Sequence, residues 1–130
     1  MGLLSKMFGA RARVAPYGLW GDDAEQLAAF EARGAEPGAP RESEFFISFT
    51  SDVKAKAAAD VLRTQRVYHE LVEPSHDIPE WMIFVRGYQQ PLVPDFLRET
   101  VDLCSDLAAR FGGEYEGWAG LLTAEEKGGE

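Results

Sequence analysis

The chain carries little with which to do covalent or metal chemistry. Its single cysteine, Cys104, excludes an intrachain disulfide and a cysteine-rich zinc site. There are only two histidines, and His69, His76, Asp77 and Glu80 match no common ligand spacing. No Gly-rich phosphate loop follows a strand, and no Ser–His–Asp set can be assembled. Basic residues are scarce as well: 13 Lys and Arg stand against 22 Asp and Glu, a net charge of -9. That balance argues against non-specific nucleic-acid binding, which needs clustered bases to neutralise phosphates. No apolar run exceeds Trp81 to Val85, far short of the ~20 residues that span a bilayer. What is present is ordinary for a globular domain: 130 residues, 45% hydrophobic and 12% aromatic, enough for one core without disulfide or metal staples. The expectation is a soluble, cytoplasmic single domain that is not an enzyme, needs no cofactor or metal, and is plausibly a monomer.

Charge is unevenly placed. Residues 1–13 hold Lys6, Arg11 and Arg13 without an acid, leaving 10 basic and 22 acidic groups in residues 14–130. The opening MGLLSKMFGARAR is too short in apolar core for a secretory signal. It has Lys at position 6 where a myristoylation motif has Ser or Thr. It reads as a loosely ordered arm over residues 1–20. Residues 124–130, acidic and Gly-ended, read as a tail with no reason to be ordered.

Between these ends the pattern is legible. A helix is expected to start at Gly21 or Asp22 and stop at Gly34, with Ala24, Leu27, Ala28 and Phe30 as its apolar stripe. In ESEFFISFT, Phe45, Ile47 and Phe49 alternate with Glu44, Phe46 and Ser48, which predicts a strand with one dominant apolar face. Ser51 or Asp52 then caps a helix with Val53, Ala57, Val61 and Leu62 on one side. Arg66 to Glu73 reads as a strand whose two faces are nearly tied. Glu80 to Tyr88 is the strongest strand, setting Trp81, Ile83 and Val85 against Met82, Phe84 and Arg86. Pro94 opens a third helix in which Leu97, Val101, Cys104, Ala108 and Phe111 recur at helical spacing. Gly112 and Gly113 end it, and Glu114 to Leu122 gives a last strand.

The order predicts an α+β domain of the ferredoxin-like βαββαβ type, with an extra N-terminal helix. Both crossover helices would cover one face of an antiparallel sheet and leave the other open. The domain is expected to run over residues 21–123. Its last segment, GGEYEGW at Gly112 to Trp118, closely resembles the Gly-Gly-Glu-Tyr-Asp-Gly-Trp signature of the RraB family, with Glu116 in place of Asp. Pro40-Arg41 before an aromatic-rich strand, and Trp81 in the third strand, extend the resemblance over roughly Asp22 to Leu122. The resemblance implies a ferredoxin-like protein that binds the endonuclease RNase E, or its degradosome assembly, and inhibits RNA cleavage without touching RNA.

An acidic domain would be steered toward the basic patches of an RNA-binding enzyme. Candidate contacts on the open face are Phe46 and Phe84, flanked by Glu44 and Glu116. Trp118 joins them if it stands on that face. Tyr115 and Trp118 oppose each other on an ideal strand, and a bulge at Gly117 would undo that parity. The alternative is a single-stranded RNA reader that stacks bases on Phe46 and Phe84. The third strand, EWMIFVRGY, lacks the Lys/Arg-Gly-aromatic pattern of that module.

Overall fold

The computed structural model describes residues 13–14 and 18–128. Strand β1 (Arg13–Val14) pairs antiparallel with β2 (Leu19–Trp20), and helix α1 (Gly21–Ala32) follows directly. Then come β3 (Pro40–Phe49), α2 (Asp52–Thr64), β4 (His69–Val72), β5 (Trp81–Pro91), α3 (Pro94–Arg110), β6 (Glu114–Gly120) and α4 (Ala124–Gly128). The molecule is an α+β protein built on a four-stranded sheet of order β4-β5-β3-β6, with every neighbouring pair antiparallel.

Local chemistry accounts for the helix ends. Ser51 caps α2, its Oγ accepting from the Lys54 N–H. Pro94 fills the first turn of α3, where its missing N–H costs nothing, and Asp95 and Arg110 suit the two ends of the helix dipole. Gly112, at φ +69°, carries the chain out of α3 in the left-handed region.

The core lies between the sheet and α2 and α3. Phe45, Ile47, Phe49, Ile83 and Val85 are buried from the sheet side, with Leu97, Val101 and Cys104 from α3 packed on them. Phe111, at the end of α3, packs only partly against this cluster. Burial without a charged partner pushes the Cys104 thiol up to about 12, so it is an inert apolar filler. In α2 the buried side is Ala55, Ala58, Ala59 and Leu62; of the expected stripe, Leu62 is buried and Val61 packs partly on the core, but Val53 turns to solvent. Val53 is 72% exposed. An alanine-rich helix offers two apolar faces, and the smaller one wins because it lets the backbone lie closer to the sheet.

Parts of both end segments carry regular structure, while residues 1–12, 15–17 and 129–130, on which the expected arm and tail also fall, lie outside the described residues. The expected loose arm already contains β1 and β2, and Leu19 is buried in the main core. The expected disordered tail contains α4, fastened by Glu126. Arg41 donates from Nη1 and Nη2 to the two carboxylate oxygens of Glu126, each at 2.7 Å, and the side chains are 2% and 5% exposed. Nη1 also donates to the Leu121 carbonyl and Nη2 to that of Glu36, and the guanidinium lies 5.0 Å from the Phe30 ring centre. Thr123 and Glu126 also close a capping box, each side chain accepting from the other's N–H. The satisfied ion pair, together with the cap, makes a five-residue helix tenable where propensity alone would not.

Two expected outcomes follow from this packing. Ile83→Ala empties a fully enclosed site between the sheet and the helices and should cost about 2–5 kcal/mol, seen as a lower urea midpoint. An unmoved midpoint would mean that Ile83 does not face the helices. The Arg41 hydrogen bonds, aided by the Glu36 N–H, hold the Glu126 carboxyl far below the usual carboxylate range. A depressed folded-state pKa stabilises above the unfolded value of ~4.3 and loses that stabilisation as pH falls. The Tm gap between wild type and Glu126→Gln should therefore be widest near neutrality and begin to close below about pH 4.

Candidate functional site

The face of the sheet turned away from α2 and α3 is built by the alternate residues of the same strands. Across the β3–β5 pair, Glu44 stands opposite Arg86, Phe46 opposite Phe84 and Ser48 opposite Met82. On the far side Glu70 and Val72 of β4 face Phe84 and Met82. Phe46 and Phe84 meet edge to face, ring centres 5.4 Å apart at 90°, and both are half-buried. Glu116 reaches this face from β6, accepting at 2.6 Å from the Ser48 hydroxyl. The structure thus brings Glu44, Phe46, Phe84 and Glu116 together on one surface.

Arg86 sits at the centre of the charge on this face. It is ion-paired with Glu44 and, at 2.7 Å, with Glu70, and its guanidinium lies 5.7 Å from the Phe84 ring centre. The Glu70 hydrogen bond, with the nearby Glu44 charge, raises its pKa further above an already high value. Two tyrosines border it. The Tyr68 carbonyl accepts from the Arg86 N–H at 2.9 Å, which continues the β4 alternation, and Tyr88 lies two residues beyond on β5. Their side chains are 62% and 66% exposed. Among the described strand residues on this face, Arg86 is the single base, while Glu42, Glu44, Glu70, Glu114 and Glu116 supply the acid. Alternation along Glu80 to Tyr88 sets Arg86 on the face of Phe84, whereas sequence reasoning missed Glu70 of β4 and Tyr68 just before it as members of the surface. The signal was the cross-strand register, which a strand with two tied faces does not disclose.

Trp118, carried above as a candidate contact, lies elsewhere. Along β6, Trp118 pairs with Phe45 and Gly117 with Phe46, yet Tyr115 already pairs with Ile47. Glu116 is the extra residue of a bulge, and Gly117 adopts φ +129°, a conformation side-chain-bearing residues rarely take. The bulge resets the alternation, so Tyr115 and Trp118 share the helix-side face. Trp118 is 5% exposed, stacks on Phe45, and donates from Nε1 to Asp23 Oδ1 at 3.1 Å. Its carbonyl accepts from the Gln26 side chain at 2.7 Å. The residue anchors α1 against the β6 edge and is no surface contact.

The remaining polar groups do not converge. Among the described residues no group of three or more His, Cys, Asp and Glu is placed to hold a metal ion. The Val67 carbonyl accepts from His69 Nδ1, and His76 is exposed in the turn before β5. A surface cleft of about 610 Å³ runs beside α4, edged by Arg33, Glu42, Glu125 and Lys127 in mixed sign. No helix among the described residues is long and apolar enough to cross a membrane.

Fold and surface together define a small α+β protein whose most differentiated feature is an aromatic, acid-rimmed sheet face rather than a reaction centre. The family model for the regulator of ribonuclease activity B, RraB, matches residues 20–119, and the chain belongs to that family. The family is one of regulators of ribonuclease activity, not of enzymes. No individually curated protein matches the chain.

Gly117 gives a test of the bulge. Gly117→Val must place a branched side chain at φ +129°, a strain of about 1–3 kcal/mol. A lower unfolding midpoint and changed Trp118 fluorescence are expected, whereas an unchanged midpoint would speak against the bulge.

Proposed function

We propose that this protein inhibits an RNase E-type endoribonuclease, alone or within its degradosome assembly, by binding it through the open sheet face. Membership of the RraB family is the observation that carries the reading. The mode of action rests on the face itself. We read the βαββαβ order as ferredoxin-like, with the domain beginning near residue 21 and, because Glu126 docks on Arg41, including α4. Phe46 and Phe84 are the candidate apolar anchors, and Glu44 and Glu116 the flanking charges. An acid rim steers the domain toward the basic surfaces an RNA-processing enzyme needs. The site of action is the cytoplasm, where such an enzyme meets its transcripts.

The RNA-reading alternative draws on one observation, that Phe46 and Phe84 stand half-buried side by side on the two central strands. The surrounding carboxylates count against it, because a base stacked there would bring its phosphate toward Glu44, Glu70 or Glu116.

The test is RNA cleavage by a full-length RNase E-type nuclease with wild type, Phe84→Ala and Glu44→Lys/Glu116→Lys, each checked for folding by circular dichroism. Truncating an aromatic anchor should weaken inhibition by at least ~2 kcal/mol, about thirtyfold. Reversing the rim charges should mainly slow association and flatten its salt dependence. Unchanged inhibition by both folded variants would exclude the open face. Failure of wild type to inhibit would exclude the function. Tight retention of labelled single-stranded RNA on filters at low salt would favour the RNA reader.

A further inference from the structure

Arg86 is out of keeping with its surroundings. Among the described strand residues it is the one base on a face rich in carboxylates and aromatic rings, and its side chain is 29% exposed. Glu44 lies across the β3–β5 pair from it, and Glu70 sits on β4 beside Phe84. Two carboxylates from the strands on either side, with a ring 5.7 Å away, form a slot shaped for a guanidinium. A planar fork donates to both acids while its face lies on the ring, which an ammonium does less well. The exposed tyrosines Tyr68 and Tyr88 extend the apolar border of the slot.

From this arrangement, and resting on the reading of the open face as the binding face, we infer that Arg86 is a placeholder for a partner's arginine. The occupant is a protein segment that presents arginine. Its guanidinium enters between Glu44 and Glu70 over Phe84, and Arg86 swings outward to the rim. Charge complementarity selects this occupant. A second copy of the chain would bring Glu44, Glu70 and Glu116 against their own like, and a phosphate-bearing surface would meet the same carboxylates. Release from Glu70 is cheap, since that carboxylate is 55% exposed and an ion pair open to water holds its partner weakly, and the incoming guanidinium replaces Arg86 at the more enclosed Glu44. Arg86 thereby lowers affinity for any single basic segment and keeps two carboxylates and a ring from binding cations indiscriminately.

The experiment uses the full-length chain and fluorescent nona-arginine and nona-lysine peptides, with affinities read by anisotropy at low salt. Arg86→Ala opens the slot, and Arg63→Ala, on the outer surface of α2 and 72% exposed at its side chain, makes the same charge change elsewhere. Arg86→Ala should bind nona-arginine about fivefold more tightly or better, and Arg63→Ala should gain less than about twofold. Nona-lysine should gain clearly less than nona-arginine from Arg86→Ala, and adding Glu44→Gln and Glu70→Gln should abolish the gain. Arg86→Gln serves in the same comparison if Arg86→Ala does not fold. An equal gain from Arg63→Ala, or an equal gain for nona-lysine, would overturn the placeholder. That failure is separable from failure of the nuclease reading: wild-type inhibition would persist without a working slot, and a working slot would persist without wild-type inhibition.

Discussion

The antiparallel pairing of β3 with β5, from Ser43 opposite Gly87 to Phe49 opposite Trp81, fixes what each side of the sheet can be. Both strands lie in the middle of the sheet, so each is locked by a neighbour on either edge. Phe45, Ile47, Ile83 and Val85 are almost wholly removed from water beneath α2 and α3. Because side chains alternate strictly, burying that set forces Glu44, Phe46, Phe84 and Arg86 outward. The two half-buried rings of that face are therefore placed by the register of the core. A slip of one residue would put Glu44 and Arg86 into the helix layer, where unpaired charge is far too costly. The core holds the aromatic face in place.

That constraint explains which parts of the molecule the sequence disclosed. The alternation in ESEFFISFT and EWMIFVRGY is strong because one face is wholly apolar, and Phe46, Phe84 and Glu44 fell where the period placed them. The period failed where the backbone leaves regularity. Parity on an ideal strand leaves the face of Trp118 open, and the bulge weighed at Gly117, with Glu116 as its extra residue, turns the side chain inward. In α2 the four buried positions include three alanines, too small to dominate a hydrophobic pattern, so the larger Val53 misled. Glu70 was hidden because neither face of β4 is fully buried, and nothing in that strand declares its register.

The C-terminal helix shows a different limit. Half of its cause was local and legible: Thr123 to Glu126 is a capping box in plain sequence. The other half is Arg41, 85 residues earlier, which no periodicity connects to Glu126. An arginine buried without a counter-charge would be untenable, so its presence beside Phe30 at the start of β3 demanded a carboxylate from somewhere. The same Pro40-Arg41 pair that helped mark the family resemblance is thus a structural element, tying the first sheet strand to the end of the chain.

An exposed sheet face with aromatic residues invites unwanted association, and the construction here answers that hazard at both edges and on the face. The β6 edge is partly capped by α1, whose Gln26 side chain satisfies the Trp118 carbonyl, and the bulge at Glu116 breaks its regular pairing. The β4 edge is only four residues long and carries Glu70. On the face, carboxylates surround Phe46 and Phe84, so that two copies brought together would repel before the rings could bury each other. An excess of carboxylates around an apolar centre disfavours the approach of the chain's own copies and of polyanions. The rim thus guards the rings, and Trp118, turned to the helix side by the bulge, holds α1 in place through Asp23 and Gln26.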